Sequence, residues 1–304
     1  MPSQRAPDIY ASMLKPHGHG YALLCPDTPS NHPLGIQFGD LGYLDDKGGF
    51  VYLFNVCKAA NDPVNVNRTP PDFVQLTGID GIADILIRRR LFRNNETIHA
   101  VAGRKKSIGA NVSVTTSFVP AALGSGFEFT SAGTQAALLV LPDGATSYTC
   151  RRPSMMEHHA TNYAHSWYKY FNGPGQSRQI PNGMLYLVTG CIKCRSWANA
   201  CYSHDVESRA VSLNLSIASG GANASGTPYC KWVVQSDSPV HRRSHPEPPT
   251  LVPAPASTPA LVAATTLRRD PNPPNLPEAT ENQTVFLHGI SMILNRGQVI
   301  LKCY

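Results

Sequence analysis

The stretch GFEFTSAGTQAALLVLP, residues 126–142, follows IHAVAGRKKSIGANVSVTTSF, residues 98–118, and this pair decides the fold class. Apolar side chains alternate with small polar ones, most clearly over residues 108–114. A two-residue period is typical of strands with one apolar face. LPDGA, residues 141–145, then supplies turn chemistry. The pattern predicts two neighbouring strands, each with one apolar and one small-polar face.

Strand patterns also occur on both sides of this pair. DDKGG, residues 45–49, is a hairpin-type turn before the β-forming run 50–56. Further strands are predicted at 183–205, 208–220, 229–237 and 284–304. In contrast, DGIADILIRRRLFR, residues 80–93, predicts a short helix with Asp80 as its N-cap.

A longer helix is predicted over about 154–172, SMMEHHATNYAHSWYKYFN. Ser154 and Glu157 have the spacing of a capping box, and Asn172-Gly173 is a stop signal. Apolar side chains recur every three or four residues, which predicts one packing stripe: Met156, Ala160, Tyr163, Trp167, Tyr170 and Phe171.

These patterns predict a β-rich α+β protein with one twisted, mostly antiparallel sheet and a few packed helices. Residues 1–16 are expected to be a flexible lead-in, and 17–235 plus 281–304 a single β-rich domain. The segment 238–280 contains eleven prolines between 239 and 277. Such a composition cannot build a core, so a disordered loop is expected there.

Composition narrows the function classes. The net charge is +6 and charged residues make up 15% of the chain, so acidic partners are weakly favoured. No phosphate-binding glycine motif is present, and aromatic residues do not interleave with the basic ones. Neither a nucleotide cofactor nor a nucleic acid is therefore expected. The N-terminus has no apolar signal-peptide core, which predicts a cytoplasmic protein with reduced cysteines.

Two groups of residues contain possible metal ligands. His158 and His165 lie seven positions apart, roughly 10 Å along a helix, which is too far to share an ion. Cys191, Cys194, Cys201 and His204 have the spacing of a zinc quartet. On one strand, however, Cys191 and Cys194 would point to opposite faces. Zinc and a redox pair stay open as alternatives, but ordinary buried thiols and no metal are expected.

Two basic clusters, RRRLFR at 88–93 and GRKKS at 103–107, flank the start of the strand-rich region. Each cation near an anionic bilayer contributes about 1 kcal/mol of binding. A solvated helix end and a charged turn are the alternative interpretation. The expected lipid-binding residues are Arg88, Arg89, Arg90, Arg93, Arg104, Lys105 and Lys106.

Several stretches resemble a family of uncharacterised cytosolic proteins from mushroom-forming fungi. They include HGYALLCPDTPS, IQFGDLGYLDDKGGFVYLFNV, NDPVNVNRTPPDF, SWYKYFNG and NGMLYLVTG. The resemblance covers most of residues 17–235 and 281–294. It carries no activity that can be transferred to this chain.

The order of elements also resembles the pore-forming domain of gasdermins. The corresponding stretches are KKSIGANVSVTTSF and GFEFTSAGTQAALLVLP, the helix SMMEHHATNYAHSWYKYF, then NGMLYLVTG, SRAVSLNLSIASG and TVFLHGISMIL. This resemblance implies strands that refold into the wall of a membrane pore. The chain departs from it at residues 17–75 and in lacking a helical C-terminal repressor.

The sequence thus predicts a binding protein that inserts into anionic membranes and oligomerises there, in a fungal cell-death or defence setting. Cleavage of the Pro-rich segment would be a switch, because exposed disordered tracts are preferred protease sites. One alternative is a hydrolase or lyase using loop His, Ser or Tyr residues. Another is an interaction module whose Pro-rich loop binds polyproline-recognising domains.

Overall fold

A computed structural model describes residues 5–28, 32, 34–102, 114–121, 124–131, 133–204, 211–218, 229–236, 239–246 and 281–304. For residues 114–121, 124–126, 218 and 229, only the backbone is described. Residues 103–113 and 247–280 lie outside this description, and they include Arg104, Lys105, Lys106 and most of the expected Pro-rich loop.

The described helices are α1 (Ala6–Leu14) and α2 (Pro153–Asn172), with a 3-10 turn at Lys15–His17. The strands are β1 (Tyr21–Ala22), β2 (Asp40–Leu44), β3 (Phe50–Asn55), β4 (Ile85–Phe92), β5 (Glu96–Ala102), β6 (Val114–Ala121), β7 (Gly124–Ser131), β8 (Gln135–Leu141), β9 (Ala145–Cys150), β10 (Leu185–Cys194), β11 (Trp197–Ser203), β12 (Val211–Ala218), β13 (Tyr229–Gln235), β14 (Val240–His245), β15 (Gln283–Asn295) and β16 (Gln298–Cys303).

The strands form three antiparallel sheets, so the β-rich α+β class is confirmed but the single expected sheet is not. Sheet A has eight strands: β1, β2, β3, β4, β9, β10, β15 and β16. Sheet B has the order β14-β11-β8-β5, and sheet C has the order β13-β12-β7-β6. A bend at residues 133–134, between β7 and β8, separates one strand of sheet C from the adjoining strand of sheet B.

Sheet C repeats the strand order of sheet B because each of its strands is adjacent in sequence to one strand of sheet B. The pairs are β5 with β6, β8 with β7, β11 with β12, and β14 with β13. Side chains from both sheets share one apolar cluster. Two long hairpins are therefore folded over at mid-length, so that their tip halves, sheet C, pack on their base halves, sheet B.

Helix α2 packs on sheet A, as the stripe predicted. Met156, Ala160, Trp167 and Phe171 are buried there. The predicted capping box is wrong, because Arg152 is the N-cap, without a side-chain cap bond, and the helix begins at Pro153. Proline at the first position already has the helical φ angle and needs no N–H partner.

One tyrosine hydroxyl joins α2 to two strands of sheet A. The Tyr168 hydroxyl donates to the Met292 carbonyl at 2.8 Å and accepts from the backbone N–H groups of Gly183, at 2.9 Å, and Leu185, at 3.1 Å. Burial raises the pKa of this phenol. The hydroxyl thus fixes the position of the helix over β10 and β15.

The expectation of a flexible lead-in is wrong for the part of residues 1–16 that is described. Helix α1 buries Ile9, Tyr10 and Leu14. Tyr10 and Leu14 belong to the cluster on the face of sheet B opposite to sheet C. The apolar positions recur with helical spacing, and sheet B offers an apolar surface that covers them.

The expected short helix over 80–93 is also wrong. Asp80 does cap backbone N–H groups, at Ile82 (2.7 Å) and Ala83 (2.8 Å), but they belong to a single turn. Residues 85–92 then form β4, which pairs with β9. An open edge on β9 outweighs the helical pattern because pairing satisfies the backbone of both strands.

The expectation of a Pro-rich disordered loop over 238–280 is wrong for residues 240–245. Residues 240–245 form β14 and pair with β11, while β15 returns beside β10. Each residue from 240 to 245 pairs with a residue of β11. The high proline content of the segment gives no indication of this strand.

The prediction of two two-faced strands is correct for β7 and wrong for β8. Phe127 and Phe129 are buried, whereas Glu128 between them is exposed. On β8, Ala136, Leu138 and Val140 face sheet C, and Ala137, Leu139 and Leu141 face α1 and sheet A. In this hairpin β7 therefore has one polar face, whereas β8 is apolar on both faces over residues 136–141. Residues 108–113 of the predicted alternation and the side chains of β6 lie outside the described residues.

Candidate functional site

A basic edge forms where sheets A and B meet. Strand β4 pairs with β9 alone, so it is an edge of sheet A. Its ladder is irregular between Arg88 and Phe92, where three residues of β4 lie opposite a single residue of β9. Arg88, Arg89 and Arg90 are exposed, and Arg90 has a left-handed φ of 54°. A bulge of this kind turns side chains away from the sheet and blunts the edge.

A cleft of about 650 Å³ opens beside this edge, at the turn from β4 to β5. It is lined by Arg90, Leu91, Arg93, Asn94 and Glu96. The Glu96 carboxylate accepts a hydrogen bond from the backbone N–H of Arg93 and so fixes the turn. Of the expected lipid-binding residues, Arg90 and Arg93 line this cleft together.

The second element of the site is the interface between sheets B and C. Sheet C contributes an apolar inner face made of Phe127, Phe129, Val211, Leu213, Leu215, Ile217, Cys230 and Trp232. Its outer face is mainly polar, with Glu128, Ser216, Lys231 and Gln235 exposed beside a half-exposed Val233. Sheet C is therefore amphipathic across its thickness.

Among the described residues, a small number of polar contacts hold sheet C in place. The Trp232 indole donates to the Arg243 carbonyl at 3.1 Å, and the Ser244 hydroxyl donates to the Cys230 carbonyl at 2.9 Å. At the bend, the Thr134 hydroxyl donates to the Ala102 carbonyl at 3.1 Å. These bonds join sheet C and its bend to the edges of sheet B.

Several polar atoms at this interface are buried without a partner among the residues that the structure describes. They include Oγ1 of Thr97 and both ring nitrogens of His204, whose ring stacks on Tyr202 at 5.4 Å. A buried polar atom left unpaired costs about 1–3 kcal/mol. The closed packing of sheet C is thus less favourable than its apolar area alone implies.

The hairpin tips point toward the basic cleft. Glu96 pairs with Leu141 at the cleft end of sheet B, and Ala102 pairs with Gln135 at the bend end. Cys230, which pairs with Ile217 near the tip of sheet C, accepts the bond from Ser244 at the cleft end. A surface bound at the cleft would therefore lie close to the tips.

The histidines of α2 do not form a site with one another. His158 and His165 are exposed, and His158 contacts Asn162 at 3.1 Å. His159 is buried against Tyr163 and Trp167, and burial lowers its pKa to about 4. Neither His158 nor His165 lines the clefts described in this section, and His204 lies at the bend between β11 and β12.

The four residues with zinc-like spacing are distributed over separate clusters. Cys191 packs with the side chains around Tyr186, whereas Cys194 and Cys201 lie in the cluster under α1. Burial raises the pKa of Cys191 to about 11 and that of Cys201 to about 12, so both stay neutral thiols. Within the described part of the chain, no three His, Cys, Asp or Glu side chains are placed to hold a metal ion.

A second cleft, of about 240 Å³, lies at the C-terminal end of α2. Arg68 and Arg178 line it with Asn67, Gln176 and the apolar side chains of Leu53, Val66 and Phe171. Cations are stabilised beside the last carbonyl groups of a helix. The Arg68 guanidinium lies 5.7 Å from the centroid of the Tyr52 ring, and the backbone N–H of Arg178 donates to the Phe171 carbonyl at 2.8 Å.

Sequence reasoning did not single out His99 or Trp232 at the interface of sheets B and C. The alternation at 211–217 marks an apolar face, but it does not show which surface covers that face. Among the described residues, no helix is both long enough and apolar enough to span a membrane. Comparison of the chain with protein-family models gives no match, and comparison with curated proteins gives none.

Proposed function

We propose that this chain binds anionic membranes through the basic edge and inserts the hairpin tips of sheet C into the bilayer as part of an oligomeric pore. One observation carries the proposal: sheet C is the folded-over half of two hairpins whose other halves form sheet B. Movement about the bends separates the two sheets without breaking a ladder within either of them.

The chemistry of sheet C supports insertion. Its inner face presents two phenylalanines, one tryptophan and several aliphatic side chains, which suit lipid once sheet B no longer covers them. Its outer face suits water inside a pore. The strands have seven or eight residues, close to the roughly 9–11 residues of a tilted transmembrane strand.

The basic edge supports binding before insertion. Four arginines, Arg88, Arg89, Arg90 and Arg93, are exposed at or beside the cleft end, toward which the tips point. At about 1 kcal/mol for each cation near an anionic leaflet, they would bind phospholipid head groups and bring the tips to the surface. Arg104, Lys105 and Lys106 belong to the same proposal, outside the described residues.

Dye release from vesicles tests this function. Full-length protein, and protein cleaved within residues 247–280, should release dye from phosphatidylserine or cardiolipin vesicles and much less from phosphatidylcholine vesicles. No release from either anionic lipid, with both forms of the protein, would refute the proposal.

A reversible lock tests the moving part. Ser244→Cys places a second thiol against Cys230, where Ser244 now contacts the backbone of Cys230, and a disulfide there would tie sheet C to sheet B. Mass spectrometry verifies the bond. Release should stop in the oxidised protein and return on reduction, while Ser244→Ala should behave alike in both conditions. Release from the locked protein would exclude sheet C as the inserted part.

A further inference from the structure

A histidine lies between the two halves of the first folded hairpin. His99 is on β5, two positions before Val101, which packs into the cluster between sheets B and C. The His99 ring is 6.2 Å, centroid to centroid, from the ring of Phe129 on sheet C. It is half-buried, so sheet C covers one side of an imidazole that protons can reach.

A second histidine contacts the backbone of His99. Nε2 of His17, in the 3-10 turn after α1, lies 3.0 Å from the carbonyl oxygen of His99. The His17 ring stacks on that of His19 at 6.4 Å, and His19 contacts the edge of Phe92 at 4.8 Å. The imidazole of His288, on β15, interacts electrostatically with His19.

We infer that His99 is an acid-sensitive latch that holds sheet C on sheet B when neutral and releases it when protonated. The inference rests on the proposed function in one respect only, namely that the released sheet C then enters a membrane. The release itself is a property of the interface and can be measured without a membrane.

The physical basis is the cost of charge in a covered site. Burial, and then the charge of His17, lower the pKa of His99; burial and His17 lower that of His19, and burial and His19 lower that of His288. The ordinary pKa is about 6.5. Once sheet C moves away, His99 loses the cover of Phe129 and its pKa rises toward this value.

The sign of the pH dependence follows from proton linkage. The closed state binds fewer protons than the released state wherever the pKa of His99 is lower in the closed state. Acidification below about pH 6.5 therefore favours release. The shift toward release reaches its full size once the pH falls below the lowered pKa that His99 has in the closed state.

Few other charges face His99 among the described residues. From the 3-10 turn, the titratable side chain near His99 is that of His17. From sheet C, Glu128 is next to Phe129 in sequence, but its side chain lies on the exposed outer face. Strand β8, the ladder partner of β5, has no titratable side chain, and α1 packs Tyr10 on the other face of sheet B. Among the described residues, protonated His99 therefore meets no carboxylate in the closed interface.

Thiol protection of Cys230 in the full chain tests the latch. Cys230 is fully buried between the sheets, and Cys191 is buried in sheet A. Alkylation of each is followed by mass spectrometry at about pH 7.5 and about pH 5.5, which bracket the ordinary histidine pKa. Each rate is divided by that of urea-unfolded protein at the same pH, which removes the effect of thiol ionisation.

On acidification, we expect the protection of Cys230 to fall, by up to about tenfold for each unit by which the closed state lowers the pKa, while Cys191 stays protected. His99→Gln should abolish the fall, and His17→Gln should reduce it and serves as the test if His99→Gln does not fold. The control His158→Gln changes an exposed histidine of α2 and should behave as wild type.

An equal loss of protection at Cys191 would indicate general acid unfolding and would overturn the latch, as would an unchanged fall in His99→Gln. Dye release from phosphatidylserine vesicles at both pH values separates the two proposals. A fall at Cys230 without dye release supports the latch and contradicts the pore. Dye release without a fall at Cys230 supports the pore and contradicts the latch.

Discussion

Removing the Phe129 ring should release sheet C far more often than in the wild-type protein. Phe129 is fully buried in the interface of sheets B and C, contacts His99, and pairs with Leu213 across the β7–β12 ladder. A buried Phe→Ala substitution costs about 3–5 kcal/mol. Since about 1.4 kcal/mol is a factor of ten, Phe129→Ala should shift the closed-to-released equilibrium by roughly two to three and a half powers of ten.

The assay is alkylation of Cys230 at neutral pH, with urea unfolding as an independent measure of stability. Glu128→Ala is the matched control, because it changes the exposed neighbour of Phe129 and should alter stability by less than about 0.5 kcal/mol. If Phe129→Ala accelerates alkylation by less than about tenfold, equivalent to about 1.4 kcal/mol, sheet C does not pack on sheet B as described.

Three further substitutions test the membrane edge and the scaffold. Replacing both Arg89 and Arg90 with Gln should weaken sedimentation with phosphatidylserine vesicles by about 2 kcal/mol, or roughly 30-fold; an unchanged affinity would contradict the basic edge. Tyr168→Phe should lower stability in urea by about 1–3 kcal/mol, because it leaves the backbone N–H groups of Gly183 and Leu185 without their acceptor; a neutral result would contradict that contact. Gly289→Ala places a Cβ against the Leu187 carbonyl oxygen and the Tyr186 ring, and should cost about 1–3 kcal/mol, seen as a lower midpoint of thermal unfolding.

The sequence predicted local features well where one pattern had no competitor. The stripe from Met156 to Phe171 identified α2, and the turn at 45–49 lies between β2 and β3 as expected. It failed where local propensity and tertiary pairing disagree. Residues 85–92 have a helical stripe, but they become β4 because β9 has a free edge.

Two other differences have the same origin. Residues 240–245 belong to the Pro-rich segment, so their composition predicts disorder. Residues 6–14 belong to the expected flexible lead-in. Strand β11 and the apolar face of sheet B supply the partners that order them. Such partners are distant in sequence and leave no local signal.

For the candidate site, the sequence located the arginines of the basic edge and the alternation of the sheet C strands. The sequence determined which residues are charged, which are apolar, and with what period the apolar residues recur. Only the tertiary structure decided that β7 and β12 cover β8 and β11, that His99 lies beneath Phe129, and that the tips point back toward the cleft. The reason is that period fixes the face on which a side chain lies, whereas long-range packing decides what covers that face.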